Sequence, residues 1–168
     1  IIEAKKIFNL SYKQLEILTH PKSYLHAIVK FNNGLSKLLV HDTNMTIPIF
    51  NSVYFSNNKK LKSKNLDIKV LNNLNLKKVD NTRFPAIKIL NNLNDVDSLF
   101  ETIIVSANDA LVNLFLCGKI KFTDISTILL KICNMPQFTK FKSKKPKNID
   151  EINKLSHYVS LKIDTLSV

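Results

Sequence analysis

The chain has 168 residues, 45% of them apolar, and a formal charge of +12. That length allows one ordinary domain, or a small bundle plus part of another domain, and that apolar share is typical of a chain with a real core. No apolar run approaches the roughly 20 residues a helix needs to cross a bilayer, and no signal peptide is visible, so no membrane partner is expected.

The charge raises nucleic acid or an anionic surface as partners, but its kind argues against a specific site. Arg83 is the only arginine, and the other basic side chains are lysines mixed with many asparagines and isoleucines. Arginine supplies the bidentate and stacking contacts that base readers favour. A solvated lysine surface is the expectation, with no nucleic acid bound. Cys117 and Cys133 lie in apolar helical surroundings without CxxC spacing, and both are expected as buried, reduced thiols of a cytoplasmic protein.

Ile1, Ala4, Ile7 and Phe8 recur at helical spacing and read as the last turns of a helix. A start at Ile1 inside such a pattern suggests a piece of a longer protein. Leu15 to Thr19, Tyr24 to Phe31 and Leu35 to His41 are short runs with strand composition. Asn32-Asn33-Gly34 separates the last two, a hairpin signal because Asn-Gly tolerates the positive φ of tight turns. Pro48 is placed to open another helix with Ile49, Phe50 and Val53 on one face.

The lysine- and asparagine-rich stretch that follows holds only scattered aliphatics and reads as an extended linker. From Pro85 the pattern is helical, through Ile87, Ile89, Leu90 and Leu93. Two starts compete for the next helix: Ser98-x-x-Glu101 forms a capping box, and Ser106-x-x-Asp109 follows the β-branched Ile103-Ile104-Val105 run. Gly118 ends that helix. Thr123 can cap the next, which runs towards Pro136. A basic loop over 138–148 precedes Asn148-x-x-Glu151, which opens a last helix with Ile152, Leu155, Val159 and Ile163 on one stripe. Four short amphipathic helices make a bundle.

Chemistry is scarce. His20 and His26 are the one close pair of histidines, suited to proton transfer or metal binding, with structural histidines as the plain alternative. With Gly34 and Gly118 as the only glycines, neither a GxGxxG nor a Walker loop can form. Glu3 and Glu16 lack an acidic neighbour at helical spacing and read as solvated side chains.

The order of motifs says more than any one of them. Ile2-Glu3-Ala4 and Phe8-Asn9 precede Thr19-His20-Pro21-Lys22-Ser23, then His26-Ala27-Ile28-Val29, a hairpin, and Asn44-Met45-Thr46-Ile47-Pro48-Ile49. Arg83-Phe84-Pro85-Ala86-Ile87-Lys88, Ser106-Ala107-Asn108-Asp109 and Phe122-Thr123-Asp124-Ile125 follow. Over nearly the whole chain this succession resembles the C-terminal part of the 1-deoxy-D-xylulose 5-phosphate reductoisomerase family, most specifically in His-Pro-x-Ser-x-x-His and Phe-Thr-Asp-Ile.

The resemblance implies an enzyme that uses NADPH and magnesium or manganese to convert 1-deoxy-D-xylulose 5-phosphate to 2-C-methyl-D-erythritol 4-phosphate in isoprenoid precursor synthesis, as a homodimer. It implies an α+β piece: the end of a catalytic domain with a small antiparallel sheet over 1–57, a linker over 58–82, and a helical bundle over 83–168. It places the helix start near Ser106. It also implies that the family's phosphate-binding serines, active-site lid, Asp-x-Glu metal ligands and Asn-Lys-x-x-Glu motif precede Ile1. By the same resemblance His26 lies close to the active site, Met45 near the nicotinamide, and Glu3 about one turn from a metal-binding glutamate. The family's Pro-Asp-Met is Thr43-Asn44-Met45 here, its Trp-Pro is Phe55-Ser56, and its Asn-Ala-Ala-Asn-Glu is Val105-Ser106-Ala107-Asn108-Asp109.

This chain alone is therefore expected to be inactive and to hold neither NADPH nor metal. The rival reading is a basic module for RNA or an acidic partner. It needs aromatics exposed among the lysines, whereas Phe and Tyr are expected at core-like positions.

Overall fold

The structure, a computed structural model, describes residues 1–55 and 59–166; the expected boundary at 57/58, like Ser56, lies outside the described residues. The chain forms two compact units, one of Ile1–Glu16 with Asp80–Val168 and one of Ile17–Val79. The α+β class expected from the sequence holds. The boundaries expected from composition differ from this division, because the first sixteen residues cluster with the helical body.

In the helical unit, α1 (Ile2–Phe8) ends at Asn9, whose φ of 52° is the left-handed conformation that asparagine tolerates. A 310 turn over Tyr12–Gln14 follows. The segment Pro85–Asn92, expected as an α-helix, is a 310 helix opened by its proline and buries Ile89. After α2 (Thr46–Val53) and α3 (Ile68–Asn72) of the other unit come α4 (Leu99–Leu116), α5 (Phe122–Asn134), the short α6 (Pro136–Thr139) and α7 (Ile149–Leu166). Helix α4 packs against both α5 and α7.

Helix α4 starts after Ser98, eight residues before the Ser106 start that the resemblance favoured. The run Ile103-Ile104-Val105 is helical because burial outweighs its modest propensity cost: Ile103 and Ile104 lie in the core beside Leu99, Phe100, Ala107 and Leu111. Ser106 is inside the helix, and its hydroxyl meets that of Ser156 at 2.8 Å. By length and composition α4 could span a membrane. Its buried face and Glu101 in its first turn make it the central helix of the bundle.

Gly118 ends α4 at φ 71°. Lys119 N–H donates to Leu114 C=O and Gly118 N–H to Phe115 C=O, each at 2.9 Å, which is the Schellman arrangement. Cys133 is buried, and burial pushes its thiol up to about 11. Cys117, expected to be buried too, is exposed at the C-terminal cap of α4.

Helix α5 begins at Phe122, one residue before the expected cap Thr123, and Asp124 accepts from Lys121 N–H at 2.9 Å. The basic loop is anchored by the buried Phe138 and by Leu99 N–H donating to Lys144 C=O at 2.8 Å. Helix α7 opens as its sequence suggests. Asn148 accepts from Glu151 N–H at 2.9 Å, while Glu151 accepts from Lys147 N–H at 2.8 Å. Its stripe of Leu155, Val159 and Ile163 closes the core.

The second unit is built from β1 (Leu18–Thr19), β2 (Leu25–Lys30), β3 (Ser36–Val40), α2 (Thr46–Val53), α3 (Ile68–Asn72) and β4 (Lys77–Lys78). Strands β2 and β3 form the antiparallel hairpin. Phe31 C=O accepts from Gly34 N–H at 3.1 Å, so Asn32 and Asn33 make the turn, and Gly34 alone takes positive φ, 87°. Helix α2 begins at Thr46, ahead of Pro48, with Asn44 Oδ1 accepting from Thr46 N–H at 2.9 Å.

The stretch expected as an extended linker carries structure. Helix α3 is capped by Asp67, which accepts from Val70 N–H at 2.9 Å, and β4 pairs antiparallel with β1, Leu18 opposite Lys78. Asp67 N–H also donates to the hydroxyl of the buried Tyr24 at 3.0 Å. Paired backbone and a capped turn hold this lysine-rich chain in place, where composition alone signals only a lack of core residues.

Candidate functional site

His26 stands on an irregularity of the hairpin. Leu25 pairs with Val40 and Ala27 with Leu39, so His26 is an extra residue with no opposite number on β3. A bulge of this kind breaks the alternation of a strand and re-aims the side chain it carries. His26 is exposed. Its ring stacks on that of His41, centroids 3.6 Å apart and planes within 7°, and its Nε2 lies 3.2 Å from His41 C=O.

His41 is held in turn, its Nδ1 being 2.6 Å from Asp42 C=O. With Asp42, His41 lines a depression of about 300 Å³ whose walls include Tyr24, Ile47, Ser63 and Lys64. A volume of that order takes a small ligand, and Lys64 brings a cation to it. His20, read as the partner of His26, is engaged by backbone: its Nε2 sits 2.9 Å from Leu25 C=O, and its Nδ1 is buried without a partner. The structure thus gives the two histidines different surroundings, one held within the fold and one open.

Met45 directly precedes α2 and is exposed. Glu3 lies in the first turn of α1 and is also exposed. No three His, Cys, Asp or Glu side chains gather as a possible metal site among the described residues. The described side chains therefore offer no three-ligand set for a catalytic metal, and two glycines are too few for a glycine-rich dinucleotide loop.

Sequence reasoning missed a cluster of charges in the helical unit. Lys5 is 4% exposed, and its Nζ lies 3.2 Å from Glu101 and 2.9 Å from Asp97. Lys6 Nζ lies 2.6 Å from Asp97 Oδ1 and 2.6 Å from Glu101 Oε2. The second contact is an ion pair whose angles fall short of a hydrogen bond. Tyr12 donates its hydroxyl to Glu101 Oε1 at 2.5 Å, and its N–H to Asp95 at 2.6 Å.

Burial alone pushes the Glu101 carboxyl up, but the Lys6 ammonium beside it and the hydrogen bond from Tyr12 outweigh that and hold the group low. The hydrogen bonds of Lys6 and Lys5 bring Asp97 down to about 2. Burial and the adjacent carboxylate raise the Tyr12 hydroxyl. Every charge in this cluster has a partner, so it docks α1 on α4 and offers no free acid or base. Two adjacent lysines facing acids more than ninety positions away leave no local signal.

The aromatics also depart from expectation. Among the described residues only Phe100 and Phe138 of the phenylalanines are fully buried, while Phe8, Phe31, Phe55 and Phe122 are exposed. Some rings sit beside lysines, such as the exposed Phe31 with Lys37 at 5.5 Å and the half-buried Tyr54 with Lys59 at 4.3 Å. The placement of the aromatics therefore does not by itself dismiss a nucleic-acid module, and kinship has to decide.

Residues 41–160 match the family model described as the DXP reductoisomerase C-terminal domain. Over all 168 residues the chain is 80% identical to the 1-deoxy-D-xylulose 5-phosphate reductoisomerase of Pelagibacter ubique, covering 43% of that protein. It is 31% identical over 143 residues to the enzyme of the same name from Sulfurihydrogenibium, covering 85% of this chain and 38% of the relative. The fold is similar to that of the Zymomonas mobilis reductoisomerase solved in complex with NADPH, with TM-score 0.80 at 23% identity over 99% of this chain and 43% of that one. It is similar as well to a DOX-P reductoisomerase in complex with NADPH, fosmidomycin and magnesium, with TM-score 0.81 at 24% identity, over 99% of this chain and 41% of the other. The chain spans about two fifths of the length of the relatives it matches. It belongs to the 1-deoxy-D-xylulose 5-phosphate reductoisomerase family and contains that family's C-terminal domain.

Proposed function

We propose that this chain is part of an enzyme that rearranges and reduces 1-deoxy-D-xylulose 5-phosphate to 2-C-methyl-D-erythritol 4-phosphate with NADPH and magnesium or manganese, acting as a cytoplasmic homodimer in isoprenoid precursor synthesis. The observation that carries this reading is the 80% identity, over every residue of the chain, to a reductoisomerase. Relatives of that name solved with NADPH and magnesium support the cofactors.

The residues here complete a site whose cofactor and metal are held by the rest of the enzyme. His26 is the candidate to touch the substrate, as an exposed imidazole re-aimed by a bulge beside a depression of small-ligand size. Met45 supplies an exposed apolar side chain for the nicotinamide to pack on, and Glu3 orders the surroundings of the metal without binding it. The exposed hairpin, with Leu38 and Leu39 uncovered, suits pairing with a second subunit. NADPH oxidation dependent on deoxyxylulose phosphate, followed in the whole enzyme, tests the reading. Absence of that activity in a folded, metal-loaded preparation contradicts it.

A further inference from the structure

The backbone around the stacked histidines dictates where their protons sit. A carbonyl oxygen only accepts. The His26 nitrogen 3.2 Å from His41 C=O must therefore carry hydrogen, which makes it Nε2–H. By the same reasoning the His41 nitrogen 2.6 Å from Asp42 C=O is Nδ1–H. In its neutral form each ring then keeps one lone pair, on His26 Nδ1 and on His41 Nε2.

The geometry explains why His26 needs help to hold this state. As the bulged residue it has no cross-strand partner, and its exposed side chain is free to rotate away from one carbonyl. His41 supplies two restraints at once, a parallel ring 3.6 Å away and the acceptor oxygen. It follows β3 directly, and its own N–H is fixed by donation to Tyr24 C=O at 3.2 Å. Its ring is thereby tied to a buried anchor.

We infer that His41 is a positioning residue: it fixes the ring plane and tautomer of His26, so that Nδ1 of His26 faces a hydroxyl of the ketose phosphate as an acceptor. The inference rests on the reading of His26 as a site residue. No catalytic contact is assigned to His41 itself.

Nitrogen-15 NMR of the histidines in the 168-residue chain, with kinetics of the whole enzyme, tests this. The unaltered chain shows His26 as the Nε2–H tautomer. His41→Ala removes the ring and gives a tautomer mixture, and His41→Phe restores the preference because ring and carbonyl both remain. In the whole enzyme His41→Ala lowers kcat/KM by about tenfold, the scale of a mispositioned group, and His41→Phe recovers most of it. A His26 tautomer of the Nδ1–H kind, or one ratio shared by all three proteins, overturns the inference. So does a His41→Ala enzyme with unchanged kinetics where His26→Gln is slow. If His26→Gln itself turns over normally, the reading of His26 fails, while the NMR comparison still decides whether His41 holds it.

Discussion

Lys5 Nζ and Glu101 Oε1 lie 3.2 Å apart across 96 positions of sequence, with both side chains at most 5% exposed. A buried charge is tolerated only with its partner, and here each end has more than one. Lys5 also reaches Asp97, and Glu101 takes the Tyr12 hydroxyl. Glu101 is the buried acid that Lys5, Lys6 and Tyr12 share, and loss of such a buried partner costs about 3–5 kcal/mol. Glu101→Ala is expected to lose stability on that scale in urea denaturation of the 168-residue chain. Lys5→Met is expected to lose less, since Lys6 still faces Glu101 at 2.6 Å. A Glu101→Ala protein within about 1 kcal/mol of the parent contradicts the clamp.

The same cluster sets an acid dependence. Asp97 is held at about 2, below its usual 3.8, by hydrogen bonds from Lys6 and then Lys5. A carboxyl lowered on folding stabilises the fold fully above its unfolded value, and that stabilisation fades as pH falls through the folded one. Asp97 is mostly exposed, so solvent screening reduces the contribution to about 1 kcal/mol. Asp97→Asn is expected to flatten the loss of stability between about pH 4 and pH 2. Equal slopes for parent and variant across that window count against the assignment.

Gly118 offers a cleaner backbone test. A Cβ there meets nothing within 4 Å, so only its φ of 71° resists substitution. Gly118→Ala is expected to cost about 1 kcal/mol, and Gly118→Asn less, because asparagine visits this conformation more readily. A melting temperature unchanged by alanine would mean that α4 ends without the Schellman turn.

Titration calorimetry on the 168-residue chain is expected to show no micromolar binding of NADPH or magnesium. The described residues bring no three potential ligands together, and no glycine-rich loop exists to cradle a pyrophosphate. Micromolar binding of either one contradicts that division of labour between this chain and the rest of the enzyme.

How far the sequence could be read depended on the range of each determinant. The Gly34 turn, the Gly118 stop and the Asn148–Glu151 cap were legible because each is fixed within a few residues. The choice between Ser98 and Ser106 was not, since both carry capping chemistry and only burial of Ile103 decides. Whether Pro85 opens a 310 or an α-helix is equally invisible, because both put apolar residues on one face. The bulge at His26 carries no glycine or proline to announce it, so strand alternation could not say which way that side chain faces. The motif order around His26 still identified the family, although the surroundings of the residue could not be foreseen. The Lys5–Glu101 pair, joined across 96 positions, lies beyond any local pattern.

The most direct measurement is the turnover of His26→Gln in the full-length enzyme, followed as NADPH oxidation with deoxyxylulose phosphate. An exposed imidazole that positions or accepts from the substrate should cost about tenfold or more when replaced. Folding stability should change by less than about 1 kcal/mol, because the amide can keep one hydrogen bond to the His41 carbonyl. Slow turnover in a variant that melts normally is the expected result. Normal turnover, or a large fall in melting temperature with kinetics intact, contradicts a role for His26 in the reaction.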